Sequence, residues 1–349
     1  MSIIFIEKST KYLLLPLFKN NLKDAKTNIL LQIIIGLCTY YLTDFLHKFK
    51  YNKYLIPMLR KFLVYFNSLI IIIIMTIIDL IIKDISTKKL TYDINYKSFD
   101  ISINYYCLFS ILTGFCASIL IFIDHNITLK LLDNTHKLNQ SISYHYDMII
   151  ISICIGLCSI LGLPWPCAAT IRTINYMSSL SVIEDEIDKE GIIYSHFVKI
   201  TENRVPSLII HIIIGVFFFY RFILSNIPES VIFGFILYMG TSSLTHNQIW
   251  DRIKLWVMRT SLYPLSHYIR NVKKVKVYYF TIIQILCIIL LIILKSYVEV
   301  AFTFPLILVL YIYIRYKLIP KYYDKEELEY LDSDINISSN QIRESVLIG

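Results

Sequence analysis

Gly162-Leu163-Pro164-Trp165-Pro166-Cys167-Ala168-Ala169-Thr170-Ile171-Arg172 decides how the rest of the chain is read. Its two prolines break a helical ladder in a stretch otherwise apolar enough to lie in a membrane. A guanidinium at membrane depth costs at least about 2.5–3.5 kcal/mol and persists where it faces a cavity, a partner or a substrate. Irregular backbone survives in a bilayer only where protein buries it or water reaches it. A half-helix whose free N–H groups and positive dipole end lie beside an arginine can hold an anion. Arg172, with the N–H groups of Ala169, Thr170 and Ile171, is therefore a candidate anion site inside a membrane.

The surrounding sequence fits an all-α integral membrane protein. Of 349 residues, 56% are hydrophobic, and the mean hydropathy is +0.59. Apolar runs approaching the ~20 residues that cross a bilayer lie at 28–46, 62–82, 104–123, 147–163, 207–224, 278–294 and 297–314. Shorter, interrupted segments lie at 168–182 and 229–243. The first seventeen residues, with Leu13, Leu14, Leu15 and Pro16, read as part of a further helix and lack the pattern of a signal peptide.

The net charge of +8 is explained by topology and not by nucleic acid, because no nucleic-acid fold accompanies the basic residues. With the C-terminus inside, about 22 of the 34 Lys and Arg fall in cytoplasmic segments, the positive-inside bias. Residues 8–26, with five lysines, run against it. The seven cysteines lie in or beside apolar runs and read as packing residues, and the eight histidines lack metal-ligand spacing. No nucleophile–base pair, metal cluster or cofactor motif points to an enzyme.

Segment 244–276 has a different pattern. Ile249, Ile253, Trp256 and Val257 share one helical face, with Arg252, Lys254 and Arg259 mostly away from it, so residues 246–260 are expected to lie in the membrane interface. Arg270, Lys273, Lys274 and Lys276 precede a span as a topology signal near anionic lipid. The acidic run at 184–190 reads as a solvated connection, and the tail after Tyr322 as partly disordered. Asp124, at the end of Ser118-Ile119-Leu120-Ile121-Phe122-Ile123-Asp124, is the second intramembrane charge. It can be a helix-end carboxylate reaching headgroups, or the counter-charge that Arg172 needs when no anion is bound.

These blocks resemble the band 3-type anion exchanger and bicarbonate transporter family. Gly162-Leu163-Pro164-Trp165 followed by Ala168-Ala169-Thr170-Ile171-Arg172-Thr173 resembles that family's broken tenth span. Ile227-Pro228, Phe233-Gly234-Phe235-Ile236-Leu237-Tyr238-Met239-Gly240 and Asp251-Arg252 resemble its twelfth span and following surface helix. Leu294-Lys295-Ser296 and Phe304-Pro305 resemble its thirteenth and fourteenth spans. Leu331-Asp332-Ser333-Asp334 resembles the short acidic tail motif proposed to recruit carbonic anhydrase.

The resemblance implies a fourteen-span inverted-repeat fold with core and gate domains, and a homodimer formed through the gate. On that pattern residues 1–103 are gate helices and 104–226 the second half of the core, broken at 164–182. Residues 227–318 return to the gate, and 319–349 form a cytoplasmic tail. Met1 would then fall midway through the fifth span, leaving the first four spans absent, so the 349 residues alone are expected not to exchange anions. The implied function is inorganic anion transport at the plasma membrane, with chloride/bicarbonate exchange first and sodium-coupled bicarbonate or borate transport as alternatives. Arg172 matches the exchangers, whereas aspartate at 124 matches the sodium-coupled and borate-transporting members. A non-transporting, dimer-forming membrane subunit is the rival from another class.

Overall fold

The computed structural model describes residues 2–19, 23–49, 55–82, 87–90, 106–136, 144–168, 173, 176, 180–187, 193–200, 205–245, 247–259, 263, 267–297, 300 and 303–332. The helices are α1 (Ser2–Lys19), α2 (Lys23–Lys48), α3 (Pro57–Tyr65), α4 (Asn67–Ile81), α5 (Tyr106–His136) and α6 (Tyr144–Ile160). After strands β1 (Ser181–Ile187) and β2 (Ile193–Ile200) come α7 (Val205–Phe219), α8 (Arg221–Ser225), α9 (Glu229–Thr245) and α10 (Gln248–Val257). Helices α11 (His267–Asn271), α12 (Lys274–Ser296), α13 (Phe304–Tyr313) and α14 (Lys325–Asp332) complete the order. A π-helical turn at Ile314–Leu318 and a 3-10 turn at Ile319–Lys321 follow α13.

Among the described residues, Thr27–Lys48, Phe109–Lys130 and Lys274–Ser296 are each long and apolar enough to cross a membrane. The stretch read as one span at 62–82 is bent: Met58–Tyr65 and Asn67–Ile81 meet at 69°. No proline or glycine marks the bend. Phe66 leaves helical geometry there, and the Asn67 carboxamide oxygen accepts from the Ser68 N–H at 2.5 Å. In the apolar stretch at 297–314 the helix begins at Phe304, with Pro305 in the first turn, where its missing N–H costs nothing.

One element departs from an all-α fold. Strands β1 and β2 pair antiparallel, with Glu184 opposite His196, Asp185 opposite Ser195 and Glu186 opposite Tyr194. Half of the acidic connection expected at 184–190 is thus strand. Its partner, Ile193-Tyr194-Ser195-His196-Phe197-Val198, is rich in the branched and aromatic residues that suit a ladder.

The chain divides into two units, one of residues 1–93, 215–288 and 322–349, the other of 94–214 and 289–321. The sequence-based division differs at 94–103, 215–226 and 289–318. In the first unit α9 packs on α1, α2 and α4. Ile35, Ile71, Met75 and Val231 are its buried apolar core.

The helices cross at glycines. A Cβ added at Gly234 would lie 2.2 Å from the Gly36 carbonyl oxygen and 3.0 Å from the Thr39 Cβ. One added at Gly240 would meet Ile6 Cγ1 at 2.8 Å and the Ser2 carbonyl at 3.0 Å. Small residues at helix crossings are how membrane helices gain close packing without a hydrophobic drive. Three buried hydroxyls are satisfied within their own helices: Ser9 donates to Phe5 O at 2.8 Å, and Thr39 to Ile35 O and Thr43 to Thr39 O, each at 2.7 Å.

Residues 87–90 return to the start of α9. The Glu229 N–H donates to Lys88 O at 2.9 Å and the Leu90 N–H to Ile227 O at 3.3 Å. The Glu229 carboxylate takes Lys88 Nζ at 3.0 Å and the Tyr12 hydroxyl at 2.6 Å, while the Tyr12 ring stacks on Phe233.

The interfacial helix is present as α10, capped by the Asn247 side chain accepting from the Ile249 N–H. The apolar side that carries Trp256 and Val257 faces outward, as a helix lying in the interface requires, while Arg252 on the other side turns into the protein and not to water. Arg252 and Leu255 are buried, whereas Trp256 and Val257 are 44% and 89% exposed. The tail is also ordered through Asp332, with Leu328 and Leu331 of α14 buried and α14 packed on α11. Leu331 is 1% exposed, so the first residue of the acidic tail motif is committed to the fold; Ser333 and Asp334 lie outside the described residues. The Lys276 ammonium, 2.5 Å from Glu327, holds the Glu327 carboxyl below its ordinary range. This contact is complete above that range and is lost only as pH falls through the lowered value.

Apolar side chains on many helices face outward, as a lipid-embedded surface requires, including Ile111 and Ile160 at 70% exposure. Of the six described cysteines only Cys116 is buried, so the packing role expected for all of them does not hold for the exposed Cys154 and Cys167.

Gly234→Ala should lower the stability of the detergent-solubilised protein by about 1–3 kcal/mol or more, because Cβ meets backbone that cannot rotate away. Gly215, whose added Cβ meets nothing within 4 Å, should tolerate alanine and gain up to about 1 kcal/mol of helix propensity. Thermal unfolding of both variants measures the contrast, and equal melting would remove the α2–α9 contact from the account.

Candidate functional site

Helix α6 ends before the Pro-Trp-Pro block through a defined chain of hydrogen bonds. Gly162 adopts φ +68°, the Leu163 N–H donates to Cys158 O at 2.8 Å, and the Gly162 N–H donates to Ser159 O at 3.3 Å. That is a Schellman closure, which needs a left-handed residue at the position Gly162 occupies. Pro164 beyond it cannot continue the ladder. Residues 163–168 then run without regular structure, and Thr173, Tyr176 and Leu180 are helical. The interruption inferred from the prolines is therefore present. Ala169, Thr170, Ile171 and Arg172 lie outside the described residues.

Asp124 sits on α5, which packs against α6 and α13 in the same unit. Its residue is half-buried, and no hydrogen bond or ion pair to its carboxylate is present among the described residues. Two neighbours matter. Thr128, one turn on, is buried and donates from Oγ1 to the Asp124 carbonyl at 2.9 Å. The buried Nε2 of His125 has no hydrogen-bond partner among the described residues. Asn126, by contrast, turns back on its own helix and donates to Phe122 O at 2.8 Å.

A membrane helix seldom keeps an uncompensated carboxylate beside an unsatisfied imidazole nitrogen. The arrangement can accept a proton or a cation at Asp124 and a hydrogen bond at His125. Sequence reasoning found Asp124 by its charge. It passed over His125, whose only sign was its place one residue beyond that charge. Among the described residues no three His, Cys, Asp or Glu side chains come together as metal ligands.

Residues 6–336 match the family described as the HCO3- transporter integral membrane domain. The chain is 33% identical over 312 residues to "Sodium bicarbonate cotransporter 3" of Rattus norvegicus, covering 86% of this chain and 25% of the relative. It is 34% identical over 310 residues to the human "Electroneutral sodium bicarbonate exchanger 1", with 86% and 28% covered. Against the human "Sodium-driven chloride bicarbonate exchanger" it is 34% identical over 313 residues, with the same two shares. The chain thus spans about a quarter of the length of these curated relatives.

Gly162→Ala tests the closure of α6. An added Cβ meets nothing within 4 Å, so the cost is conformational, about 1–2 kcal/mol for a left-handed residue. Gly162→Asn should cost less, since asparagine tolerates that region. Thermal unfolding ranks the variants, and an alanine variant as stable as the parent would mean that α6 does not end this way.

Proposed function

Because the chain belongs to the bicarbonate transporter family, we propose that it forms part of a membrane transporter of inorganic anions, with bicarbonate a substrate, working by alternating access. The observation that carries this is the pairing, within one unit, of a broken membrane helix leading to Arg172 and a half-buried carboxylate at Asp124. The guanidinium and the N–H groups of Ala169, Thr170 and Ile171 would hold the anion. Asp124 would balance Arg172 while the site is empty, and face a proton or a coupling cation once an anion has arrived.

Sodium coupling is preferred for the cation. Asp124 carries the sodium-coupled signature, and the relatives reported above bear sodium-coupled names. Chloride/bicarbonate exchange is the second reading, favoured by Arg172. In either case the fold would be the fourteen-span inverted repeat. The gate would lie in the unit of residues 1–93 and 215–288, and the core in the unit of 94–214. The gate would form the homodimer, with the C-terminus cytoplasmic in the plasma membrane. A carbonic anhydrase contact would be left to residues beyond Leu331, since that side chain is buried.

Bicarbonate-driven pH recovery in cells that express the protein within a transport-competent assembly tests this. Arg172→Ala should reduce flux about 10–100-fold, the value of one or two charge-assisted hydrogen bonds, at unchanged surface abundance. Arg172→Lys should restore it only in part, because an ammonium lacks the planar fork. Unaltered flux in the alanine variant removes the anion site from Arg172.

Asp124→Asn should abolish dependence on external sodium while leaving the protein in the membrane. Sodium-independent, chloride-dependent flux in the parent would replace the first reading with the second.

A further inference from the structure

Arg252 is a buried cation held without a carboxylate. Its Nη1 donates to Gln284 Oε1 at 3.3 Å, and its Nη2 donates to Gln248 Oε1 at 3.3 Å and to the Leu331 carbonyl. Its Nε is buried with no acceptor among the described residues. The guanidinium lies 5.1 Å from the Tyr268 ring centroid and 5.4 Å from that of Phe280. No ion pair to it is present among the described residues. Its negative partner is therefore the end of α14: the Leu331 carbonyl at the negative pole of a helix, with the nearby charge of Asp332.

A second cation faces the same helix. Lys276 binds Glu327 at 2.5 Å, and the Tyr323 hydroxyl donates to the Lys276 carbonyl at 3.0 Å. If α14 left, Arg252 would lose the Leu331 carbonyl and keep only the two glutamine oxygens, Lys276 would lose Glu327, and Phe280 would lose the Tyr323 ring against it. A buried guanidinium short of acceptors is costly, so α14 leaves readily only when another anion takes the place of the Leu331 carbonyl at Arg252. Protons do not provide the release, because Glu327 titrates below the ordinary carboxylate range.

We propose that the seat of α14 is an exchangeable anion site, in which the phosphorylated headgroup of an anionic lipid replaces the tail helix and frees it. Two features favour a lipid as the source. The exposed Trp250, Trp256 and Val257 put α10 at the membrane interface. The exposed Lys273 and Lys274, beside Lys276 at the start of the α12 span, draw anionic headgroups to that level. A phosphomonoester has acceptors enough for the Nη groups, the idle Nε and the Lys276 ammonium together. The proposal depends on the membrane location alone and not on which ion is transported.

Hydrogen exchange across residues 325–332 of the full chain, in bilayer discs, is the test. In phosphatidylcholine α14 should be protected. A few per cent of phosphatidylinositol bisphosphate should accelerate its exchange at least about tenfold. Arg252→Gln should exchange fast in both lipids, and Lys276→Gln should lose most of the response to the phosphoinositide.

Protection unchanged by the phosphoinositide overturns the proposal, as does a full response in Lys276→Gln. Release by soluble inositol trisphosphate in phosphatidylcholine discs would overturn the lipid assignment, and the site would then be one for free phosphates. If Arg252→Gln fails to fold, the Lys276→Gln comparison decides alone.

Discussion

The first unit depends on one close approach, the crossing of α2 and α9 where the Gly36 carbonyl lies against the Cα of Gly234. Lipid offers apolar helices no hydrophobic reason to associate, so contact must come from backbones brought near enough for dispersion and weak polar attraction. Two glycines in register permit that. Around them the hydroxyls of Thr39 and Thr43 turn back on their own helix, and Ile35, Ile71, Met75 and Val231 fill the space beside the crossing. Gly240 does the same for α1 on α9, so α9 is the axis on which the unit is built.

From that axis the unit extends in two directions. At the start of α9, Glu229 collects Lys88 and Tyr12, while residues 88–90 add backbone hydrogen bonds. Beyond its end, α10 turns Arg252 inward and makes it the point where α10, α11, α12 and α14 meet. The two polar centres differ in kind. Glu229 is an anion with a lysine ammonium at hand, whereas Arg252 relies on neutral acceptors and on a helix end. That asymmetry makes the tail's hold on the body conditional on charge.

In the second unit the same rules serve a different purpose. On α5 the Asp124 carboxylate and the His125 Nε2 have no hydrogen-bond partner among the described residues, although Asn126 and Thr128 turn back on their own helix, and α6 is closed by Gly162 so that irregular backbone can follow. The first unit also leaves buried atoms without partners among the described residues, at Ser230 Oγ and Arg252 Nε. In the second unit a carboxylate and an imidazole nitrogen stand open within an apolar helix, which is the condition a permeating ion or proton would exploit.

Much of this was legible in the residues themselves. Apolar length marked the helices long enough to cross a membrane and the Gly-Leu-Pro-Trp-Pro run marked the end of α6, because each is a local effect of solvation, φ or a missing N–H. Asp124 and Arg172 stood out because charge is costly at membrane depth wherever the chain folds. Other features were invisible for an equally physical reason. The bend at Phe66 carries no breaker. The acidic run became strand only because β2 lay opposite. The burial of Arg252 was not legible, because periodicity counts arginine as solvent-facing, and α11, α12 and α14 bring acceptors and aromatic rings from far along the chain that let it turn in. The sequence alone determined where the chain could leave water. The tertiary structure decided which polar groups found partners, since a partner distant in sequence is chosen by packing and not by local propensity.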